Sequence, residues 1–296
     1  MSTPSASRRK KDARRSGEFP PAPEPLAVPV FDSHTHLDLT IQEAGAVPGD
    51  DGADPVEALI TAAAKSGVDR LVQVGVDVAS SVWGADLAER HGSVLAAVAL
   101  HPNEAPRLAD LDEALRAIEA QAARPRVRGI GETGLDTFRT GEEGRAAQEE
   151  SFRAHIAIAK RYAKALIIHD REAHADVLRV LDEEGAPDRV VLHCFSGDAE
   201  FAAECVRRGY YLSFAGTVTF ASAVNLREAA AITPPGQMMV ETDAPYLTPT
   251  PYRGRPNASY LVPLTVRTLA AASGADLDTL CATVSATGDE VFGGWR

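Results

Sequence analysis

From Ala27 onward the chain alternates short strand-like apolar runs with longer stretches of helical spacing, and it does so eight times. The runs lie near residues 28–34, 69–75, 94–100, 127–132, 165–169, 189–194, 209–214 and 237–242. Between them, Ala-, Leu- and Glu-rich stretches predict helices at roughly 55–66, 80–91, 109–123, 145–163, 172–184, 198–208 and 222–231. Two more follow the last run, near 258–272 and 275–287. Asp54 ahead of Pro55 reads as a helix start, and Gly67, Gly92, Gly185 and Gly209 read as helix ends. Eight such units imply a parallel sheet, and eight strands is the number that closes a (β/α)8 TIM barrel. The rival is a doubly wound open sheet, but no glycine-rich phosphate loop opens the first helix here. The predicted fold class is therefore α/β, a TIM barrel over residues 28–296.

Residues 1 to about 27 differ in kind. They hold Arg8, Arg9, Lys10, Lys11, Arg14 and Arg15, then a proline-rich run from Phe19 to Pro25, with almost no apolar periodicity. Such a composition cannot bury a core and predicts a disordered tail. The tail is either solvated and dispensable or a basic arm that helps to hold a polyanion. No apolar stretch approaches the length of a membrane span. The net charge of −12 argues against a surface built for nonspecific nucleic-acid binding. It leaves a nuclease open, because bound divalent cations would invert the field locally. Cys194, Cys205 and Cys281 have neither disulfide-framework nor CxxC spacing, and read as reduced thiols of a cytoplasmic protein.

The first run ends in Asp32-Ser33-His34-Thr35-His36. Side chains two apart on a strand point to one face, so both imidazoles can meet one metal ion. A lone His-x-His is common by chance. Here further ligand types recur just after other runs: Glu132, His169, His193 and Asp243. In a barrel, the C-terminal ends of strands 1, 4, 5, 6 and 8 would bring all six to one mouth. The structural alternatives are an ordinary capping aspartate at Asp243 and a buried ion pair of Glu132 with Arg128 or Arg139. The stretch 43–54 reads as a flexible loop on the same side.

With these residues in place, the chain resembles the TatD family of metal-dependent deoxyribonucleases, within the amidohydrolase-like barrels. The matching motifs are Asp32-Ser33-His34-Thr35-His36-Leu37, Gly131-Glu132-Thr133-Gly134-Leu135-Asp136, Ile168-His169-Asp170-Arg171, His193-Cys194-Phe195-Ser196-Gly197 and Glu241-Thr242-Asp243-Ala244-Pro245-Tyr246. Gly75, His101-Pro102 and the Gln148…Phe152 helix start also fit, so the resemblance covers about residues 29–293. Departures occur after the last strand, where Asn257 matches but the proline expected beyond it is missing. The family's aromatic after Leu135-Asp136 is also replaced by Thr137, with Phe138 next.

The resemblance implies two divalent ions. His34, His36 and Asp243 would hold one, His169 and His193 the other, and Glu132 would bridge them. Imidazole and carboxylate donors suit Zn²⁺, Mn²⁺ or Fe²⁺, whereas the family is described with ions including Mg²⁺, which prefers oxygen. Zn, Mn or Mg with loose selectivity is the expectation. Asp243, with Glu132, is the expected catalytic carboxylate, orienting or deprotonating water. His101, Arg171, Arg253 and Arg255 are candidate phosphate contacts. Phe138 and Phe195 can stack on a base or pack in the core. His91, His155 and His174, within helical stretches, default to surface or outer-core roles. The implied activity is hydrolysis of DNA from single-stranded or frayed 3′ ends by a monomer. Two other classes compete: an ester hydrolase such as a D-aminoacyl-tRNA deacylase, and a non-enzymatic binding protein on a dead barrel. The second would be marked by lost ligands, and none is lost.

Overall fold

Each of the eight apolar runs is a strand in the computed structural model, which describes residues 18–44, 52 and 54–295. The strands are β1 (Val30–Thr35), β2 (Val68–Val74), β3 (Val94–Val98), β4 (Val127–Asp136), β5 (Ala165–Arg171), β6 (Val190–Leu192), β7 (Tyr211–Phe214) and β8 (Met238–Val240). They pair in sequence order, parallel throughout. Helices α1 (Leu37–Ala44), α2 (Pro55–Lys65), α3 (Val78–Arg90), α4 (Leu111–Ala122), α5 (Glu142–Tyr162), α6 (His174–Glu184), α7 (Ala199–Arg207) and α8 (Val224–Ile232) lie between strands. Two more, α9 (Val262–Ser273) and α10 (Leu277–Phe292), follow β8. The result is the (β/α)8 TIM barrel. Strands such as β3, Val94-Leu95-Ala96-Ala97-Val98, are buried at every position, as expected of strands covered on both faces. No helix among the described residues is long and apolar enough to cross a membrane.

The described residues of β8 (Met238–Val240) ladder with β7 and not with β1, and other contacts make that seam. Thr35 and Ala244 form an isolated parallel bridge, and Asp243 N donates to His34 O at 2.9 Å. The buried Asp32 carboxylate reaches across, accepting from Thr242 N at 2.9 Å and Thr242 Oγ1 at 2.6 Å. Helix α10 seals the outside. Phe31 meets Phe292 and Trp295 edge-on or tilted, and a Cβ on Gly288 would sit 2.5 Å from the Phe31 ring.

Asp54 caps α2 as read, accepting from Val56 N at 2.9 Å. Helix α1 has no counterpart in the sequence reading, because its cap is not local. The buried Gln73 of β2 accepts from Leu37 N at 2.7 Å and donates to Asp38 Oδ1 at 3.0 Å. Residues 43 and 44, read as loop, end that helix; residues 45–51 and 53 of the same reading lie outside the described residues.

Residues 18–27 correct the disordered-tail expectation; residues 1–17 lie outside the described residues. Leu26 is buried, and its N–H donates to Ser66 O at 3.1 Å. The proline-rich run has few N–H groups to offer a sheet, so side chains satisfy its carbonyls. Tyr260 Oη donates to Pro20 O. Arg267 Nη2 donates to Glu24 O at 2.9 Å, and Arg255 donates to Glu18 O and Phe19 O at 2.6–2.9 Å. The segment is ordered without burying a core of its own, which composition alone does not reveal.

His155 takes the outer-core role of its two defaults, fully buried on α5. Its Nδ1 donates to Ser151 O at 2.6 Å, and its Nε2 accepts from Leu100 N at 3.1 Å, fixing the loop that carries His101. Burial pushes the ring down to about 4, against about 6.5 for an unfolded histidine. Only the unfolded chain takes up a proton between those values. The stability tied to the neutral ring is therefore complete above pH 6.5 and is lost as pH falls toward 4, about 3 kcal/mol in all. Urea unfolding of metal-free protein should show this loss, and His155→Asn should lack it. Equal pH slopes in the two proteins would refute the assignment.

Candidate metal centre

The mouth at the C-terminal ends of the strands gathers all six predicted ligands. The pleat delivers His34 and His36 to one face, with Nε2 atoms 3.2 Å apart. Ladder irregularities fall between Asp32 and Thr35 and between Ile130 and Thr133, where they re-aim the ligand side chains. Gly131 permits this on β4: its φ is +155°, and a Cβ would lie 2.4 Å from Ile167 O.

Glu132 sits at the centre, with each carboxylate oxygen facing its own set of imidazoles. Oε1 lies 3.7 Å from His34 Nε2 and 3.5 Å from His36 Nε2. Oε2 lies 3.1 Å from His169 Nδ1 and 2.9 Å from His193 Nε2. Its ion partners are thus imidazoles, not Arg128 or Arg139. Asp243 Oδ1 completes the first set, 3.5 Å from His36 Nε2 and 3.9 Å from His34 Nε2. No helix follows Asp243 directly, so it caps none. Asn257 steadies its turn, donating to Thr242 O at 3.0 Å and to Tyr246 O.

Around these groups stands a further set of residues to which the sequence reading gave no role. His36 Nδ1 donates to Val74 O at 2.8 Å, which leaves Nε2 as the bare nitrogen of the neutral ring. His193 Nδ1 lies 3.2 Å from Glu241 Oε1, which also accepts from Cys194 N at 2.9 Å. His169 Nε2 lies 3.3 Å from Asp136 Oδ2, without hydrogen-bond alignment. Asp136 is itself held by Asn103 Nδ2 and the backbone N–H groups of Phe138 and Arg139 at 2.8–3.0 Å. Carboxylates behind ligand imidazoles fix ring orientation and raise basicity. In the sequence they carried two signals: each lies in a motif of the resemblance, and Asp136 and Glu241 fall an even number of residues from Glu132 and Asp243.

The electrostatics call for a cation. Burial opposes charge on Glu132, yet His101, His193 and His169 hold its carboxyl well below the usual range. Burial likewise disfavours a charged His36, but Asp243 and Glu132 outweigh it and lift the ring to about 9. His193 is raised against its burial by Glu241 and Glu132. Without metal, the carboxylates pull protons onto rings whose remaining nitrogens converge. His34 Nδ1 and Glu241 Oε2 are buried without hydrogen-bond partners. Three groupings here could hold an ion: His34, His36 and Asp243; His101, Glu132 and His169; and His34, His193 and Glu241. The donor set of imidazoles and carboxylates fits a divalent transition ion.

His101 is not an equivalent member. Its Nδ1 accepts from Asn103 N at 3.0 Å, so the neutral ring carries its proton on Nε2, 3.7 Å from Glu132 Oε2. Burial pushes the ring down to about 3. It faces the mouth as a neutral N–H donor. Cys194 belongs to none of the three groupings, and burial with the carboxylates of Asp243, Glu241 and Glu132 pushes its thiol up. Phe195 is buried against Phe201 and Phe214. Of the arginines, Arg171 stacks on the exposed Phe138 ring at 4.1 Å and Arg253 on Phe220 at 4.0 Å. Arg255 is committed to the 18–19 carbonyls, which corrects its reading as a phosphate contact.

Glu241→Gln tests the positioning role. It should weaken metal affinity about 10- to 100-fold and leave kcat close to wild type at saturating metal. Unchanged metal affinity by competition titration would remove that role.

The sequence profile of the family described as TatD related DNase matches residues 31–293. An uncharacterized metal-dependent hydrolase TatD of Mycobacterium tuberculosis (strain ATCC 25618 / H37Rv) is 47% identical over 245 residues, covering 81% of this chain and 89% of the relative. A protein of Citrobacter koseri named 3'-5' ssDNA/RNA exonuclease TatD is 33% identical, over 79% of this chain and 92% of that one. The crystal structure of YJJV, a TatD homolog from Escherichia coli K12, superposes with a TM-score of 0.80 at 25% identity, covering 90% of this chain and 98% of that chain.

Proposed function

The chain belongs to the TatD related DNase family of metal-dependent hydrolases, and from that premise we propose that it is an exonuclease removing nucleotides from the 3′ ends of single-stranded or frayed DNA. The observation that carries this reading is Glu132, whose two oxygens face separate imidazole sets. His34, His36 and Asp243 would hold one ion, His169 and His193 a second, and Glu132 would serve both. Zn²⁺, Mn²⁺ or Mg²⁺ would be accepted with little discrimination. Bound there, divalent ions would acidify water and stabilise the charge of a phosphodiester undergoing displacement.

The protein's own groups do the rest. Asp243, which is the most exposed carboxylate of the centre with a side chain 14% accessible, would orient the attacking water and take its proton on a carboxylate oxygen. His101 would donate its Nε2 proton in a hydrogen bond to a phosphate oxygen; with its proton held there in the neutral ring, it is a donor and not an acid. Arg171 would meet the phosphate beside β5, and Arg253 one beyond the β8 loop. Phe138, 59% exposed and backed on one face by Arg171, would stack on a base near the end of the strand.

The test is a 5′-labelled single-stranded oligonucleotide with metal-stripped enzyme, reconstituted with each ion in turn, beside a His34→Ala/His36→Ala variant. A metal-dependent ladder shortening from the 3′ end, absent in the variant, is the expected result. No ladder with any ion, together with release of a D-amino acid from an aminoacyl ester, would move the assignment to ester hydrolysis.

A further inference from the structure

Two arginines at the mouth stand over phenylalanine rings. Arg171, the last residue of β5, has its Cζ 4.1 Å from the centre of the Phe138 ring, which the loop after β4 carries. Arg253, in the loop after β8, has its Cζ 4.0 Å from the centre of the Phe220 ring, which the loop after β7 carries. The strands pair in sequence order, so one stack rises on the β4–β5 side and the other on the β7–β8 side. Strand β6, which leads to His193, runs between them. The two stacks therefore flank the metal centre instead of adjoining each other.

Among the described residues no hydrogen bond or ion pair engages either guanidinium, whereas nearby arginines are committed. Arg255 holds the carbonyls of Glu18 and Phe19, and Arg227 donates to Val218 O at 3.0 Å and Phe220 O at 2.7 Å. Thr250 N donates to Thr219 Oγ1 at 2.8 Å, which pins the two loops of the second stack together. On the other side, Asp136 Oδ1 accepts from Phe138 N at 3.0 Å and Arg139 N at 2.8 Å. Both rings thus sit on loops fixed by polar bonds, and both cations keep their N–H donors.

The layers run in opposite order. Phe138 is 59% exposed and Arg171 half-buried, so the ring is the outer layer there. Arg253 is exposed and Phe220 half-buried, so on that side the guanidinium plane is outermost. Aromatic faces and guanidinium planes both accept a stacked base, provided that the base is free of its partner strand. A ring adds no charge to that contact. A guanidinium does, because its N–H edges can reach a phosphate while its plane carries the base.

We propose that the mouth holds two unlike base platforms, the Phe138 ring and the Arg253 guanidinium plane over Phe220, which take two unpaired nucleotides on either side of the scissile phosphate. The inference rests on the exonuclease reading. It adds a reason for single-strand selectivity, since paired bases cannot stack on both platforms at once.

The experiment measures anisotropy of a labelled single strand of about 20 nucleotides with phosphorothioate linkages near its 3′ end, on the metal-loaded full chain. Phe138→Leu and Arg253→Gln should each weaken binding about tenfold. Placing an abasic site at the terminal or at the penultimate nucleotide should cancel the effect of one variant and spare that of the other. Arg253→Gln should also flatten the slope of log Kd against log salt by about 0.7, while Phe138→Leu leaves it unchanged. Phe220→Leu should weaken binding with the slope intact, and Phe220→Tyr should bind as wild type, with thermal melting to check the fold. Variants that bind within twofold of wild type, or that lose their effect at the same abasic position, would overturn the two platforms. Hydrolysis of the unmodified strand from its 3′ end alongside such a result leaves the exonuclease reading standing. The expected binding pattern without hydrolysis under any ion keeps the platforms and removes that reading.

Discussion

Glu132→Gln should lower kcat/KM by at least about a thousandfold, and bound metal should fall from two ions per chain to one or none. The carboxylate faces both imidazole sets, at 3.5 Å from His36 on one side and 2.9 Å from His193 on the other. An amide has the same shape but only one oxygen, and its NH2 group has no lone pair with which to hold an ion. One ligand set loses its anion and gains a mismatched donor. The loss is large because the surrounding rings are arranged for a negative charge at this point, as its depressed carboxyl shows. The fold should survive, since no backbone group depends on this side chain for its hydrogen bond. Metal analysis of the dialysed variant, with circular dichroism and the oligonucleotide assay, decides the matter. Two retained ions with activity within a few-fold of wild type would exclude Glu132 as a bridge.

Asp243→Asn should reduce turnover about 10²- to 10⁴-fold, the range associated with a lost general base, while the melting temperature moves by only a few degrees. The argument for an intact fold is conformational. Asp243 adopts φ +52°, a left-handed backbone that asparagine tolerates best among residues with a Cβ. Its anchors are main-chain bonds, Asp243 N to His34 O at 2.9 Å and Tyr246 N to Asp243 O at 2.7 Å, and these the substitution leaves untouched. Only the charge is removed, and with it both the carboxylate facing His36 and the acceptor for a water proton. KM for the oligonucleotide should change far less than kcat. A variant that unfolds, or one that keeps wild-type turnover, would contradict this assignment in different ways, and thermal melting beside kinetics separates them.

Much of this centre was legible before any coordinates. His34 and His36 share a face because strand side chains alternate, and Glu132, His169, His193 and Asp243 each follow a run of the kind that becomes a strand. What the sequence could not assign were roles that depend on distant partners. Glu241 and Asp243 sit two apart with the same parity, yet one backs His193 and the other faces the ions. The difference lies in depth along the mouth, which is set by how β8 sits between β7 and β1. Asp136 was visible only as a motif residue until His169 was placed beside it. His155 stayed open between surface and outer core because nothing local shows that Leu100 N–H, 55 positions earlier, needs an acceptor. Arg255 looked like a phosphate contact because its engagement with Glu18, 237 positions earlier, is tertiary.

The sequence by itself determined the eight alternating units, the barrel they close and the six side chains at its mouth. These follow from periodicity and from one residue's relation to its near neighbours, which the covalent chain fixes. Only the tertiary structure decided which oxygen of Glu132 faces which imidazole set, that Asp32 and Thr242 close the seam, and that Glu18 and Phe19 meet Arg255. Each of those depends on hydrogen bonds between groups far apart in the chain, and their geometry exists only once the barrel has closed around them.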